Sequence, residues 1–208
     1  MSSTLTSSLL SDLAGVRHGF SPDPERAGVW RPRQVHGCAV ALPGDGGAAR
    51  TEADAAVSGT PGLGVGVVTA DCVPVLLATA GGAAVAAVHC GWRGVAAGVI
   101  ERALSRLREL APDQRVAAAL GPGASGCCYE VGPEVLEALR PAPSLLAPTA
   151  GGRHRLDLRG LVAARLRVEL DPRDVEMVGP CTICDPGWPS YRREGRSAGR
   201  LLAWIFPR

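Results

Sequence analysis

The sequence contains no lysine and no asparagine, so all 22 of its basic residues are arginine. These absences remove several chemistries at once. A Schiff-base lysine, a P-loop lysine, an N-glycosylation acceptor and a Cys-His-Asn triad are excluded. Aromatic residues make up only 4% of the chain, so valine, alanine and leucine must fill the core. An excess of one charge is also missing: 22 arginines against 20 acidic residues leave a net charge of +2. That balance is too even to argue for nucleic acid or an anionic membrane as a partner. No apolar run reaches about 18 residues without Gly, Pro or charge, which argues against a membrane span. The opening MSSTLTSSLLSDLAG lacks the basic and apolar regions of a secretory leader. Seven cysteines scattered through 208 residues are an odd number, and they fit reduced thiols in a cytoplasm better than a disulfide framework.

What is present is apolar and strand-rich. At 46% hydrophobic residues over 208 positions, the chain can bury one substantial core, and residues 1–208 read as a single domain. The runs 62–70, 73–80 and 83–88 read as strands, with GGAAV as a hairpin-like turn. Such near-continuous apolar strands imply a sheet covered on both faces. Residues 95–110 form the clearest helix: Val99, Ala103, Leu107 and Leu110 mark one stripe, widened by Ile100 and Leu104. A strand over 115–120, a short helix over 133–139 and a loop over 141–152 follow. A helix over 157–170 has Asp157 as its N-cap. Strands over 174–179 and 199–206 complete the reading, while residues 1–32 are only loosely patterned. Strands and helices mixed without a regular βαβ rhythm predict a layered α/β or α+β domain.

Three segments place His or Cys beside an apolar strand: RQVHG (33–37), TADCVP (69–74) and VHCGWRG (88–94). His36, Cys72 and His89 together make a chemically sensible zinc shell, with a fourth position left for water or substrate. The same set suits a blue-copper centre, although that geometry also uses a weak axial Met and only Met1 and Met177 exist. Four histidines in all cannot build a cluster of several coppers. A metal-free alternative has Cys72 as nucleophile with His89 or His36 as base. Asp71 is a candidate for proton transfer or for orienting a histidine. Arg33 and Arg93, each within four residues of a proposed ligand, are candidate clamps for an anionic substrate, and Arg192 and Arg193 in SYRREG are weaker ones.

Two other motifs invite over-reading. GPGASG (121–126) matches G-x-G-x-x-G, but CCYEVGP follows where a dinucleotide site needs a helix. Its glycines read either as a loop presenting backbone N–H groups to an anion or as a plain turn. CTIC (181–184) is a C-x-x-C without a second pair at zinc-ribbon spacing, since Cys127 and Cys128 are adjacent. These four read as ordinary reduced cysteines.

Taken in order, RHGFS, RQVHG, ADAAVSGTPGLGVGVVTADCVPVLL, AAVHCGWRG, LGPGASGCCYEVG, CT and SYRREGRSAGR resemble the YfiH family. Its members have been called laccase-domain or polyphenol oxidase proteins, purine nucleoside phosphorylases and peptidoglycan editing factors. The resemblance runs from about His18 to Leu201. It implies an α/β single domain with a mixed, layered sheet, related to a cysteine-hydrolase fold. It also implies a zinc site of His36, Cys72 and His89, with copper the lesser alternative, and catalytic roles for these three and Asp71. Arg33, Gln34, Arg93, Tyr129, Tyr191 and Arg192 complete the implied substrate-binding set. The implied activities are phosphorolysis of purine nucleosides, including methylthioadenosine, and deamination of adenosine. Bacterial relatives are credited instead with removing misincorporated serine from a cell-wall precursor. The implied partners are a nucleoside and phosphate, in a cytoplasmic monomer. Between HGFS and RQVHG this chain carries only PDPERAGVWRP, shorter than the family's usual stretch.

Overall fold

The structure, a computed structural model, describes residues 4–44 and 51–208. Its centre is a six-stranded sheet in the order β12-β8-β6-β7-β4-β3. Numbered along the chain, these are β3 (Val40–Ala41), β4 (Ala55–Ser58), β6 (Val73–Thr79), β7 (Val85–Cys90), β8 (Val116–Leu120) and β12 (Val175–Met177). A four-stranded sheet, β1-β13-β5-β2, is built from β1 (Arg17–Ser21), β2 (Val29–Trp30), β5 (Gly64–Thr69) and β13 (Leu201–Phe206). A small sheet joins β9 (Glu130–Val131), β10 (Leu146–Pro148) and β11 (His154–Leu156).

The side-chain alternation of the central strands explains the layering. On β6, Val73, Val75 and Leu77 face one way, and Leu76 and Ala78 the other; on β7, Ala86, Val88 and Cys90 oppose Val85 and Ala87. The first face packs on two helices, α3 (Val99–Leu110) and α5 (Leu158–Glu169), through Ile100, Leu104, Leu107, Leu161, Val162 and Leu166. The second face packs on the four-stranded sheet through Val65, Val67, Leu201, Ala203, Ile205 and Phe20. Both faces are therefore dry, as the continuous apolar strands imply, but the long helices cover one side only, and a sheet with Leu9 and Leu10 covers the other. Burying each of these leucines stabilises the fold by about 1.5–3 kcal/mol.

Several expected elements are corrected. The single helix over 95–110 is two: α2 (Trp92–Ala96) and α3, separated by Gly98 at φ 85°. That left-handed backbone suits glycine and stops the α2 hydrogen-bond ladder. The expected loop 141–152 contains β10, which pairs with β11. The loosely patterned 1–32 segment supplies α1 (Ser8–Ser11), β1 and β2, and β1 pairs antiparallel with β13 at the far end of the chain. The helices α4 (Pro133–Leu139) and α5 stand as predicted, with Asp157 capping Gly160 N at 3.0 Å. The GPGASG glycines serve close packing. A side chain at Gly121 would meet the Phe20 ring at 2.3 Å, and one at Gly123 would press on the Val73 backbone. Gly121 N and Ala124 N donate to Pro74 O and Asp71 O, so they are not offered to an anion.

Candidate functional site

Strand register explains how residues far apart in sequence meet. The β6–β7 hairpin pairs Val73 with Cys90 and Pro74 with His89, so Cys72, just before β6, comes level with the end of β7. The β4–β7 register, Ala55 with Val88, places Asp54 beside His89, whose N–H donates to Asp54 O at 2.7 Å. Alternation puts Asp54, Cys72 and His89 on the face that carries the four-stranded sheet, at its open end.

His36 comes from a loop that Asp54 holds. The Asp54 carboxylate, fully buried, accepts N–H bonds from Val35 (3.2 Å), His36 (2.9 Å) and Gly37 (2.6 Å). The same carboxylate receives His89 Nδ1 at 2.7 Å. This fixes His36 at φ 60° and leaves His89 Nε2 free to face the other ligands. Asp54 has no His or Cys beside it in sequence, and only the strand register reveals it.

The ligand atoms of His36, Cys72 and His89 lie within 4.8 Å of one another. They surround Gly91: a Cβ there would stand 3.2 Å from Cys72 Sγ, 3.2 Å from His36 Cδ2 and 3.6 Å from His89 Nε2. Two imidazoles and one thiolate around a gap a methyl group would fill are a donor set that fits zinc or copper. Burial pushes the Cys72 thiol up, but hydrogen bonds with His36 and His89 outweigh it and bring its pKa down to about 6. Burial lowers His89, yet Asp54 and Cys72 raise it to about 9. Burial raises Asp54, and its bonds to His89 and the loop N–H groups leave it net lowered. These groups form an Asp54–His89–Cys72 line that favours the Cys72 thiolate; His89 Nε2 must release its proton to ligate a metal, and His36 is exposed at the outer end.

Of the eleven residues nominated by the sequence, all but Arg193 line one cleft of about 710 Å³. Their commitments differ. The Gln34 amide is spent on Val68, donating to its carbonyl and accepting from its N–H at 2.8 Å each. Asp71, at φ 84°, accepts from Thr182 Oγ1 and from Arg192 N, both at 2.7 Å. Arg33 is exposed and paired with Glu52. Arg93 lies over the Trp92 ring at 4.3 Å and makes no ion pair among the described residues. Arg192 reaches the Glu130 carbonyl at 3.1 Å and passes over the Tyr129 ring at 5.1 Å. Burial raises the Tyr129 phenol, and Tyr191 is half exposed at the start of α6 (Tyr191–Glu194). Arg193 turns away from the cleft to bind the carbonyls of Thr182, Ile183 and Trp188.

Sequence reasoning missed Thr69, Trp92, Leu158 and Arg200, which also line the cleft. Thr69 is buried at the end of β5, and its hydroxyl has no partner among the described residues. It also missed the convergence of Cys127, Cys128, Cys181 and Cys184, whose sulfurs lie within 4.8 Å of one another.

A family model described as multi-copper polyphenol oxidoreductase laccase matches residues 16–208. A purine nucleoside phosphorylase of Mycobacterium tuberculosis is 39% identical over 181 residues, covering 86% of this chain and 71% of that protein. One from Aquifex aeolicus is 37% identical over 154 residues, covering 74% and 70%. Among solved structures, a Neisseria meningitidis protein of the DUF152 family has a TM-score of 0.76 at 33% identity, covering 86% of this chain and 74% of that one. Bacillus licheniformis YfiH, at 23% identity, has a TM-score of 0.79 over 89% of this chain and 76% of its own, which speaks to the fold. With the match running from the edge strand β1 to the last residue, the chain belongs to the laccase-like multi-copper polyphenol oxidoreductase family, the YfiH family of its structural neighbours.

Proposed function

We propose that this chain is a zinc-dependent purine nucleoside phosphorylase that also deaminates adenosine and cleaves methylthioadenosine, working as a cytoplasmic monomer. The observation that carries the reading is the convergence of His36, Cys72, His89 and seven polar or aromatic partners on one cleft. The names of the Mycobacterium and Aquifex relatives support the substrate class. His36, Cys72 and His89 would hold the zinc, which when bound supplies Lewis-acid polarisation at an open coordination position.

Phosphorolysis joins a phosphate oxygen to ribose C1′ while the C1′–N9 bond breaks and the departing purine takes up a proton. Arg93, without a carboxylate partner among the described residues, is the proposed principal phosphate clamp, with Arg33 and Arg192 beside it. Trp92, Tyr129 and Leu158 give the purine an apolar wall, and the orphan Thr69 hydroxyl would hydrogen-bond the base or sugar. Gln34 and Tyr191 would act from the rim, Gln34 by holding its loop to β5. Asp71 is the proposed proton carrier. Because both its oxygens are engaged, it would have to release Thr182 or the Arg192 N–H to act.

Purified protein incubated with adenosine and phosphate should yield adenine and ribose 1-phosphate, with inosine as a second product, on a chromatogram. Neither base nor inosine from folded, metal-loaded protein contradicts the reading. A second reading rests on the Asp54–His89–Cys72 line, which also fits a thiol amidase acting on a serine-containing muramyl precursor. Turnover that survives metal removal and stops on alkylation of Cys72 favours it. The copper polyphenol oxidase reading finds no axial Met among the described residues, because Met177 sits in β12 and not in the cleft.

A further inference from the structure

The sequence separates Cys127 and Cys128 from the CTIC pair by more than fifty residues, and no ribbon-like spacing links them. The fold brings them together. After β8 the GPGASG loop turns, with Cys128 N and Tyr129 N both donating to Ser125 O at 3.0 Å. This turn directs both adjacent cysteines to the same neighbour: Cys127 Sγ lies 3.4 Å and Cys128 Sγ 2.6 Å from Cys184 Sγ. After β12 the chain runs beside that loop, with a parallel bridge between Gly123 and Cys181 and a bond from Thr182 N to Gly123 O. Asp185 N then closes a turn on Cys181 O at 3.0 Å, bringing Cys184 back over Cys181.

We propose that Cys127, Cys128, Cys181 and Cys184 form a second metal site, a four-thiolate cage for a soft divalent cation, zinc first, with a structural role. Four observations carry it. All four sulfurs lie within 4.8 Å of one another, and a zinc tetrathiolate with bonds of about 2.3 Å has sulfur–sulfur edges of about 3.8 Å. Ligand number and type are those of closed structural zinc sites, unlike the three-ligand set in the cleft. Backbone bonds hold the two cysteine loops in place, from Thr182 N to Gly123 O at 3.3 Å and from Asp185 N to Cys181 O at 3.0 Å. A cage of four thiolates and one divalent ion is doubly negative, and arginines surround it. Arg155 binds the Cys127 carbonyl at 3.1 Å, and Arg193 binds the carbonyls of Thr182, Ile183 and Asp185.

The position of the cage gives it a purpose. It joins the loop that ends in Tyr129 to the loop that carries Thr182, whose hydroxyl holds Asp71. Both loops line or brace the cleft wall.

Elemental analysis and zinc-edge X-ray absorption on the full-length protein, purified with reductant, test the site. The expected result is close to two zinc ions per chain, one with a sulfur-only shell at about 2.3 Å. The double substitution His36→Ala, His89→Ala should retain the ion with the sulfur-only shell. The double substitution Cys181→Ser, Cys184→Ser should lose that ion and lower the melting temperature. Should that variant fail to fold, thiol titration of the wild-type protein serves: chelator should expose the four cage thiols, with Cys72 as a fifth where the cleft also holds zinc. If the cleft holds no metal, one sulfur-only zinc per chain still supports the cage while the functional reading falls. Absence of any sulfur-only zinc shell, thiols equally reactive with and without chelator, or a disulfide between Cys128 and Cys184 in reduced preparations overturns it.

Discussion

At the residue scale, Asp54 is the organising group. One buried carboxylate orients His89 and shapes the 35–37 loop that carries His36. Asp54→Asn keeps the shape but loses the charge and offers N–H where an acceptor is needed. Metal affinity, measured by competition with a chelator, should fall about 10–100-fold, the usual effect of losing such a supporting partner. An unchanged affinity would remove Asp54 from the account. Gly91→Ala asks a cleaner question. Its backbone, φ −73° and ψ 154°, suits any residue, so the fold should tolerate the change. The added methyl would stand 3.2 Å from both Cys72 Sγ and His36 Cδ2. The expected outcome is a melting temperature of the metal-free protein within a few degrees of wild type, with metal binding weakened. His36, Cys72 and His89 were legible in sequence because each stands beside an apolar strand and the family resemblance singles them out. Asp54 and Thr69 were not: nothing local marks an aspartate that accepts four hydrogen bonds, or a strand threonine that accepts none.

At the scale of elements, the strands and helices with strong apolar patterns were legible, and those built from small residues or distant pairing were not. β4 is Ala-Ala-Val-Ser, weak in β propensity, and becomes a strand through pairing with β7. β1 becomes one by pairing with β13 across nearly the whole chain. Helix α1 is only four residues long, too short to be stable alone, and is held by Glu176 of β12. That carboxylate receives Ser7 Oγ, Ser8 Oγ at 2.9 Å and Leu9 N at 2.9 Å. Burial raises Glu176, but these bonds outweigh it and leave its pKa lowered in the folded state. A depressed folded pKa contributes stability above the unfolded value of about 4.3 and loses it as pH falls through the folded value. Wild-type protein should therefore be more stable than Glu176→Gln at pH 7, by about 1–2 kcal/mol. The difference should shrink in melts below about pH 4, and a constant gap across that range would contradict the anchor. The glycine break between α2 and α3 makes a further claim: Gly98→Ala, forced to φ 85°, should destabilise by about 1 kcal/mol or more in urea unfolding.

At the scale of the whole molecule, two stacked sheets with helices behind one of them create an open end where β4, β5, β6 and β7 all finish or begin. That end is the cleft, which is why residues spread from Arg33 to Arg200 line it. The layered α/β character was legible from the mixture of strands and helices, while the convergence of His36, Cys72 and His89 was expected chiefly from the family resemblance, their spacing alone being weak evidence. The four-cysteine cluster was not, because the turn at Ser125 and the pairing of Gly123 with Cys181 exist only in the folded chain.

The central claim is that the cleft holds a metal on His36, Cys72 and His89 and there splits purine nucleosides. Its most direct test is a chromatogram of adenosine and phosphate after incubation with the wild-type protein and with Cys72→Ala, both checked for folding. The account predicts adenine and ribose 1-phosphate from the wild type and none above background from the variant. Products that persist undiminished in Cys72→Ala, or no products from a folded and metal-loaded wild type, would contradict it.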